Sequence, residues 1–243
     1  MKDPESVSAY PTIAGKIWNR TRDLSWRFAD IGDRIAPGEF VEIYSHIRQY
    51  SMCSTARLRG LYHAVKHVAE HDIPGDVVEC GVAYGGSAAL LGLTLKKLGA
   101  SRRLWALDTF EGLPPPSAAD PDYDAAIHFS GAFPSDLSEV KGLFARLGIL
   151  ENTTFIKGRF QETLLKANIG KIAVLHLDGD WYDSVKVCLD HLYDRVTRGG
   201  VIQIDDYGHW AGARKAVNEL LEERNIKTRL RYLDYSGRQL TKP

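Results

Sequence analysis

From about residue 56 onward the chain alternates short apolar runs with segments of helical periodicity. That alternation limits the fold to a parallel sheet covered by helices. The runs are Asp76–Cys80, Arg103–Asp108, Thr153–Lys157, Ile172–Leu177 and Val201–Ile204. Rich in Val, Ile and Leu, and with little apolar-to-polar alternation, they have the pattern of strands buried on both faces. Helices are expected over Ser87–Leu98, Asp136–Leu147, Gln161–Ala167, Ser184–Thr197 and Gly212–Glu223; in the last, Ala213, Ala216, Val217, Leu220 and Leu221 recur at helical spacing. Gly99 and Gly148 fall where helix C-caps belong, and Gly199-Gly200 reads as the turn back into a strand. The tail, Thr228–Asp234, then Tyr235–Arg238, then Gln239–Thr241, reads as a hairpin. The expected fold is therefore α/β and Rossmann-like, a mostly parallel seven-stranded sheet closed by a C-terminal antiparallel hairpin.

Two regions stand outside the alternation. Residues 1–55 carry helix-like pieces with Trp18, Trp26, Phe28, Phe40 and Tyr44, expected to cap the sheet or a neighbouring subunit; 56–243 is then the main domain. Residues 110–135 form a long segment rich in proline (Pro114, Pro115, Pro116), the kind of insertion that acts as a lid.

Composition removes several classes of function. The 243 residues hold 31 Lys and Arg against 31 Asp and Glu, with no run of five like charges, so neither nucleic acid nor an anionic membrane is an expected partner. An apolar content of 44% excludes disorder of the whole chain. No stretch approaches the roughly 18 to 20 apolar residues of a membrane span, and the first residues, MKDPESVSAY, lack a secretory apolar core. Cys53, Cys80 and Cys188 are far apart and form no CxxC pair, which points to a reducing, cytoplasmic setting with the thiols as small buried hydrophobes.

The segment from Val77 to Ala89 ends a strand in glycines and opens a helix. In an open parallel sheet, ligands bind beyond the carboxyl ends of the strands, where the winding reverses. Gly81 would permit a tight turn, Gly85 and Gly86 a close ligand approach, and Ser87 a helix cap or a hydrogen bond to the ligand. The spacing is not the G-x-G-x-x-G of dinucleotide folds, and Glu79 would repel a pyrophosphate while suiting a cationic amino-acid moiety. An ordinary strand-to-helix turn would read similarly. Asp108, about 20 residues on at the end of the second strand, sits where an acid binds ribose hydroxyls. Together Glu79, Gly81 and Asp108 suit an adenosyl ligand without phosphates, with S-adenosylmethionine the best candidate.

The fourth strand runs into Asp178-Gly-Asp180 and the fifth into Asp205-Asp206. Adjacent strand ends lie about 5 Å apart, so Asp178, Asp205 and Asp206 are expected to converge. Desolvated carboxylates repel one another unless a cation neutralises them. Oxygen donors without cysteine favour magnesium, manganese or calcium over zinc. Solvated acids capping the next helices would be the plainer explanation, and Asp180 and Asp183 suit it best. Beside a methyl donor, a divalent ion would ease loss of a proton from a substrate hydroxyl. Asp178 is then both ligand and proton acceptor, with His209 the alternative base; His176, in mid-strand, reads as a core histidine.

Four segments carry a resemblance: Tyr50-Ser-Met-Cys-Ser54, Glu79-Cys-Gly through Gly85-Gly-Ser87, Asp108-Thr-Phe-Glu-Gly-Leu-Pro114, and Leu177–Ser184 taken with Asp205-Asp-Tyr-Gly208. Over residues 40 to 243 the chain resembles the macrocin O-methyltransferase (TylF-like) family. The resemblance implies a class I methyltransferase that uses S-adenosylmethionine and magnesium to methylate a sugar hydroxyl of a natural product. It implies Asp178, Asp205 and Asp206 as metal ligands, and Glu79, Gly81, Ser87, Asp108 and Gly112 along the cofactor. It further implies Met52 over the methionine end, Gly158 and Phe160 near the adenine, and a homo-oligomer. Some relatives place a histidine where Trp181 stands, which favours Asp178 as base, and many have threonine at position 53. Within the lid, Asp120, Asp122, Asp124 and His128 are polar enough to meet a sugar, and Phe129 and Phe133 to pack on an aglycone. An NAD-dependent oxidoreductase and a non-catalytic nucleoside-binding domain are the competing readings. The first lacks the G-x-G-x-x-G turn; the intact acid trio argues against the second.

Overall fold

In the strand Asp76–Cys80 (β1), Val77 and Val78 turn to opposite faces, as strand geometry requires, and each joins a separate apolar layer. The computed structural model describes residues 38–243. The other strands are β2 (Leu104–Asp108), β3 (Thr153–Lys157), β4 (Ile172–Leu177), β5 (Val196–Ile204), β6 (Arg231–Tyr232) and β7 (Arg238–Thr241). They form one sheet in the order β3-β2-β1-β4-β5-β7-β6. Strands β1 to β5 pair in parallel, and β7 runs antiparallel to both β5 and β6. This is the Rossmann-like α/β fold with the antiparallel hairpin that the patterning predicts.

Helices cover both faces. Helices α1 (Glu39–Ile47), α2 (Thr55–Glu70), α3 (Gly86–Lys97) and, further on, α5 (Leu137–Leu147) share one layer, where Phe40, Leu61, Leu90 and Phe144 meet Val77, Leu104 and Val174. Between α3 and α5 lies the single turn α4 (Tyr123–Ala126), and after β3 comes the equally short α6 (Phe160–Thr163). Helices α7 (Tyr182–Leu192) and α8 (Ala211–Glu223) form the opposite layer, with Val185, Leu189, Ala213 and Val217 against Val78, Leu175 and Ile202. Phe40, Ile43 and Ile47 of α1 are buried in the first layer, so the described part of the expected 1–55 cap belongs to the cover of the sheet. Trp18, Trp26 and Phe28 lie outside the described residues. Among the described residues, no helix is long and apolar enough to cross a membrane.

Three expectations are corrected. The helix expected to reach Thr197 ends at Leu192 and is followed by one 3-10 turn, Tyr193–Arg195. Strand β5 starts at Val196 because Val196 pairs with Ile172; Gly199 therefore lies inside the strand, at a register irregularity, rather than in a turn before it. The helix expected over Gln161–Ala167 is only Phe160–Thr163. The patterning also gave no helix for 55–70, where Ser54 caps α2 by accepting from the Arg57 N–H.

Register fixes what stands at the carboxyl edge. Cys80 lies beside Leu107 and Leu177, and Leu177 beside Ile204. The next residues, Gly81, Asp178 and Asp205 just past their strands and Asp108 as the last residue of β2, therefore form a row at the strand ends. Gly81 has φ +97°, and a Cβ there would overlap the Asp178 carbonyl. Gly81→Ala is expected to cost at least about 2 kcal/mol in urea unfolding, and unchanged stability would show that these strand ends are not so tightly apposed.

Candidate active site

A cavity of about 370 Å³, within the range of small-molecule sites, opens at this edge beside the reversal of strand order between β1 and β4. Met52, Gly81, Ser87, Asp108, Gly112 and Phe160 line it, together with Asp178, Asp205, Asp206 and His209. Glu79 and Gly158 do not. Glu79 points into the sheet, fully buried, because His176 on the neighbouring strand holds its Oε1 at 2.8 Å. Gly158 continues the β2–β3 pairing by donating its N–H to the Asp108 carbonyl.

The glycines serve chain packing first. A Cβ on Gly86 would collide with the backbone of Tyr50 and Ser51, so this glycine lets the segment before α2 rest on the start of α3. Ser87 lies within the first turn of α3 and is not its cap, which is Gly85. Asp108 folds the loop after β1: its Oδ2 accepts from the N–H groups of Val82 (2.6 Å) and Ala83 (2.9 Å), and its Oδ1 from Phe110 (2.7 Å).

The acids converge. Carboxylate oxygens of Asp178, Asp180 and Asp206 lie within 4.8 Å of one another, and so do Cys53 Sγ and oxygens of Asp178 and Asp205. Burial, then repulsion from neighbouring carboxylates, pushes Asp178 and Asp180 well above the usual carboxylate range, and the same two causes raise Asp206 to about 6. Burial also pushes Asp205 up, but Arg57 and His176 more than offset it and hold Asp205 below the ordinary value. Asp206 Oδ2 is buried with no hydrogen-bond partner. A close set of oxygen donors, one of them orphaned, fits a hard divalent cation.

Asp205 has both oxygens engaged. Its Oδ1 accepts from His176 Nε2 at 3.3 Å, and its Oδ2 pairs with Arg57 Nη1. Burial would lower the His176 pKa, yet the hydrogen bonds to Asp205 and Glu79 raise it to about 9, so both ring nitrogens donate at neutral pH. His176 is a core residue, as expected, but one that ties β1 to the acid cluster.

The 110–135 segment is docked. Asp120, almost fully buried, accepts from the Tyr182 N–H (2.7 Å) at the start of α7, and Asp122 accepts from the Ala211 N–H (2.8 Å) at the start of α8. These two acids are anchors for the lid and not free contacts for a sugar. Trp181 Nε1 donates to the Pro114 carbonyl at 2.6 Å, and the Trp181, Phe129 and His209 rings pack edge-on against Trp210. Phe129 and Phe133, about 40% exposed, line the cavity. His209 Nδ1 lies 3.0 Å from the Tyr235 hydroxyl, and burial lowers its pKa.

Sequence reasoning missed Arg57, and it gave Asp180 and Cys53 minor parts. Asp180 was expected to cap α7, but Asp120 does so; Asp180 instead faces Trp210 Nε1 at 3.2 Å. The available signal for Arg57 was its place one turn after Ser54, on a helix that the patterning left out.

This Rossmann-like fold is shared by solved methyltransferases. The O-methyltransferase NovP shares it with a TM-score of 0.75 and 31% identity, over 79% of this chain and 82% of NovP. The profile of the family described as Macrocin-O-methyltransferase (TylF) matches residues 46–242, and the chain belongs to that family. It is 34% identical over 193 residues (77% of this chain, 74% of the relative) to the 8-demethyl-8-(2,3-dimethoxy-alpha-L-rhamnosyl)-tetracenomycin-C 4'-O-methyltransferase of Streptomyces olivaceus. It is 32% identical over 195 residues (77% and 76%) to the Mycinamicin III 3''-O-methyltransferase of Micromonospora griseorubida.

Two outcomes follow from the charges. His176→Gln strands two buried carboxylates and is expected to cost about 3–5 kcal/mol near pH 7. Because the folded pKa lies above the unfolded one, the gap from wild type is full below about pH 6.5 and closes as pH rises through about 9. A gap independent of pH would mean that His176 is not charged. For Asp206, raised in the fold, ionisation destabilises the metal-free protein between about pH 4 and 6. Asp206→Asn is therefore expected to gain on wild type across that window, by about 3 kcal/mol; parallel melting curves would remove the strain assigned to Asp206.

Proposed function

We propose that this protein moves the methyl group of S-adenosylmethionine to a hydroxyl on the sugar of a glycosylated natural product. A divalent ion, magnesium foremost, is held by Asp178, Asp205 and Asp206. The observation that carries the reading is that all three acids line one cavity with the loop after β1 and with Asp108, Asp178 lying close to Asp205 on one side and to Asp206 on the other. The acceptors in the relatives' names, a rhamnosyl tetracenomycin and mycinamicin III, support it.

When bound, the donor supplies an electrophilic methyl and the ion lowers the pKa of an acceptor hydroxyl. Asp178, which lines the cavity beside the other acids, takes the hydroxyl proton; His209, kept neutral by burial, is the second candidate. Asp108 holds the loop that carries Gly81, Val82 and Ala83, while Met52, Ser87, Gly112 and Phe160 line the donor's side. Trp181 and Trp210 exclude water from one wall, and Phe129 and Phe133 receive the apolar part of the acceptor. Manganese or calcium suits the same donors. The same reading makes 1–55 a cap that also serves a homo-oligomer, 56–243 the catalytic domain and the cytoplasm its setting, with no nucleic acid or membrane partner.

The test is transfer of a labelled methyl group to a panel of glycosylated metabolites. Chelator is expected to abolish it and magnesium to restore it, and Asp178→Asn to lose at least about 100-fold in turnover with calorimetric affinity for S-adenosylmethionine unchanged. Full turnover with negligible metal content would sink the ion's role. Near-normal turnover of Asp178→Asn would remove Asp178 as base and as essential ligand.

A further inference from the structure

Arg57 reaches the acid cluster from the first turn of α2, and its planar fork spans two carboxylates. Nη1 pairs with Asp205 Oδ2, and Nε lies 3.1 Å from Asp234 Oδ2. The stem is boxed in by the hairpin, since a Cβ on Gly237 would crowd Arg57 Cγ and Cδ. Asp234 itself is fixed, its Oδ1 accepting from the N–H groups of Ser236 (2.9 Å) and Gly237 (2.6 Å). The head of Arg57 thus has a firm anchor on one side and an acid expected to be a metal ligand on the other. The opposite oxygen of Asp205 accepts from His176, while Oδ2 faces both the guanidinium and Cys53 Sγ (3.6 Å), so a cation that approaches Oδ2 meets the charge of Arg57 at short range.

We infer that Arg57 is a resident counter-cation of the acid cluster, and that a divalent ion gains Asp205 only as Nη1 lets go while Nε stays on Asp234. The inference rests on the metal reading above. Arg57 then sets how tightly the ion is held: it offsets carboxylate repulsion in the metal-free protein and opposes the ion by its own charge and by its hold on Oδ2. Asp234 keeps the guanidinium drawn back and so favours the ion.

The experiment is calorimetry of manganese chloride binding to chelator-stripped full-length protein, without substrate. Arg57→Gln is expected to bind manganese at least about tenfold more tightly than wild type, since a unit positive charge a few ångströms away is gone. Asp234→Asn, which frees the second arm of the fork for Asp205, is expected to bind it at least about threefold more weakly. Opposite signs separate competition from damage, because a merely structural role would weaken binding in both variants. In a crystal structure of the manganese-loaded wild type, Nη1 is expected off Asp205 with Nε still on Asp234. Unchanged or weaker binding in Arg57→Gln, or Nη1 still on Asp205 beside the bound ion, overturns the inference. If the wild type binds manganese and Arg57→Gln is no tighter, Arg57 alone is misread. If neither binds, the metal reading falls and takes the inference with it.

Discussion

Like charges repel most where water is scarce, and this fold gathers Asp178, Asp180, Asp205 and Asp206 at one edge of its sheet. Parallel pairing leaves no choice in the matter: once Cys80 lies beside Leu177 and Leu177 beside Ile204, the residues that follow must stand together. The surroundings answer that repulsion. An imidazolium at His176 holds one oxygen of Asp205, a guanidinium at Arg57 holds the other, and Glu79 balances the imidazolium from β1. A net formal charge of zero therefore conceals a local excess of carboxylate that two cations only partly offset.

The central strands were readable because strands buried on both faces cannot hide their Val, Ile and Leu content, and β1, β3 and β4 fall where the patterning puts them. Boundaries that depend on pairing were not. Val196 joins β5 only because Ile172 lies opposite, a fact of register that no local propensity contains. The acid cluster was readable for the same reason as the strands, since strand ends in a parallel sheet are neighbours. What the sequence hid was direction. Glu79 seemed to face the cofactor, yet one residue before the strand end the pleat turns it to His176. Gly86 seemed to admit a ligand and instead admits the backbone of Tyr50 and Ser51. Asp120 and Asp122 seemed free to meet a sugar, but the unsatisfied N–H groups at the starts of α7 and α8 claim them.

One row of polar residues crosses the middle of the sheet. Glu79 pairs with His176, His176 with Gln203, and Gln203 with Gln239, so four adjacent strands each place a polar side chain at the same level. Such a row is costly unless its members satisfy one another. Here Glu79 meets His176, and Gln239 Nε2 donates both to Gln203 Oε1 (3.3 Å) and to the Gly60 carbonyl (3.2 Å). Gln203 Nε2 in turn donates to the carbonyl of Arg57 (3.2 Å), so the row also fixes the backbone from which Arg57 extends.

The terminal hairpin then has more to do than close an edge. Ser236 Oγ donates to the Asp205 carbonyl at 2.5 Å, and the Gly208 N–H donates to the Ser236 carbonyl at 2.8 Å, so the turn between β6 and β7 clamps the segment that carries Asp205 and Asp206. Asp234, at the base of that turn, binds both Arg57 and Ser54, the cap of α2. Acid, counter-cation and helix cap are thus tied to one five-residue turn. An apolar hairpin would have covered the edge of β5 equally well; the polar contacts of this one go to Asp205 and to the arginine that opposes it.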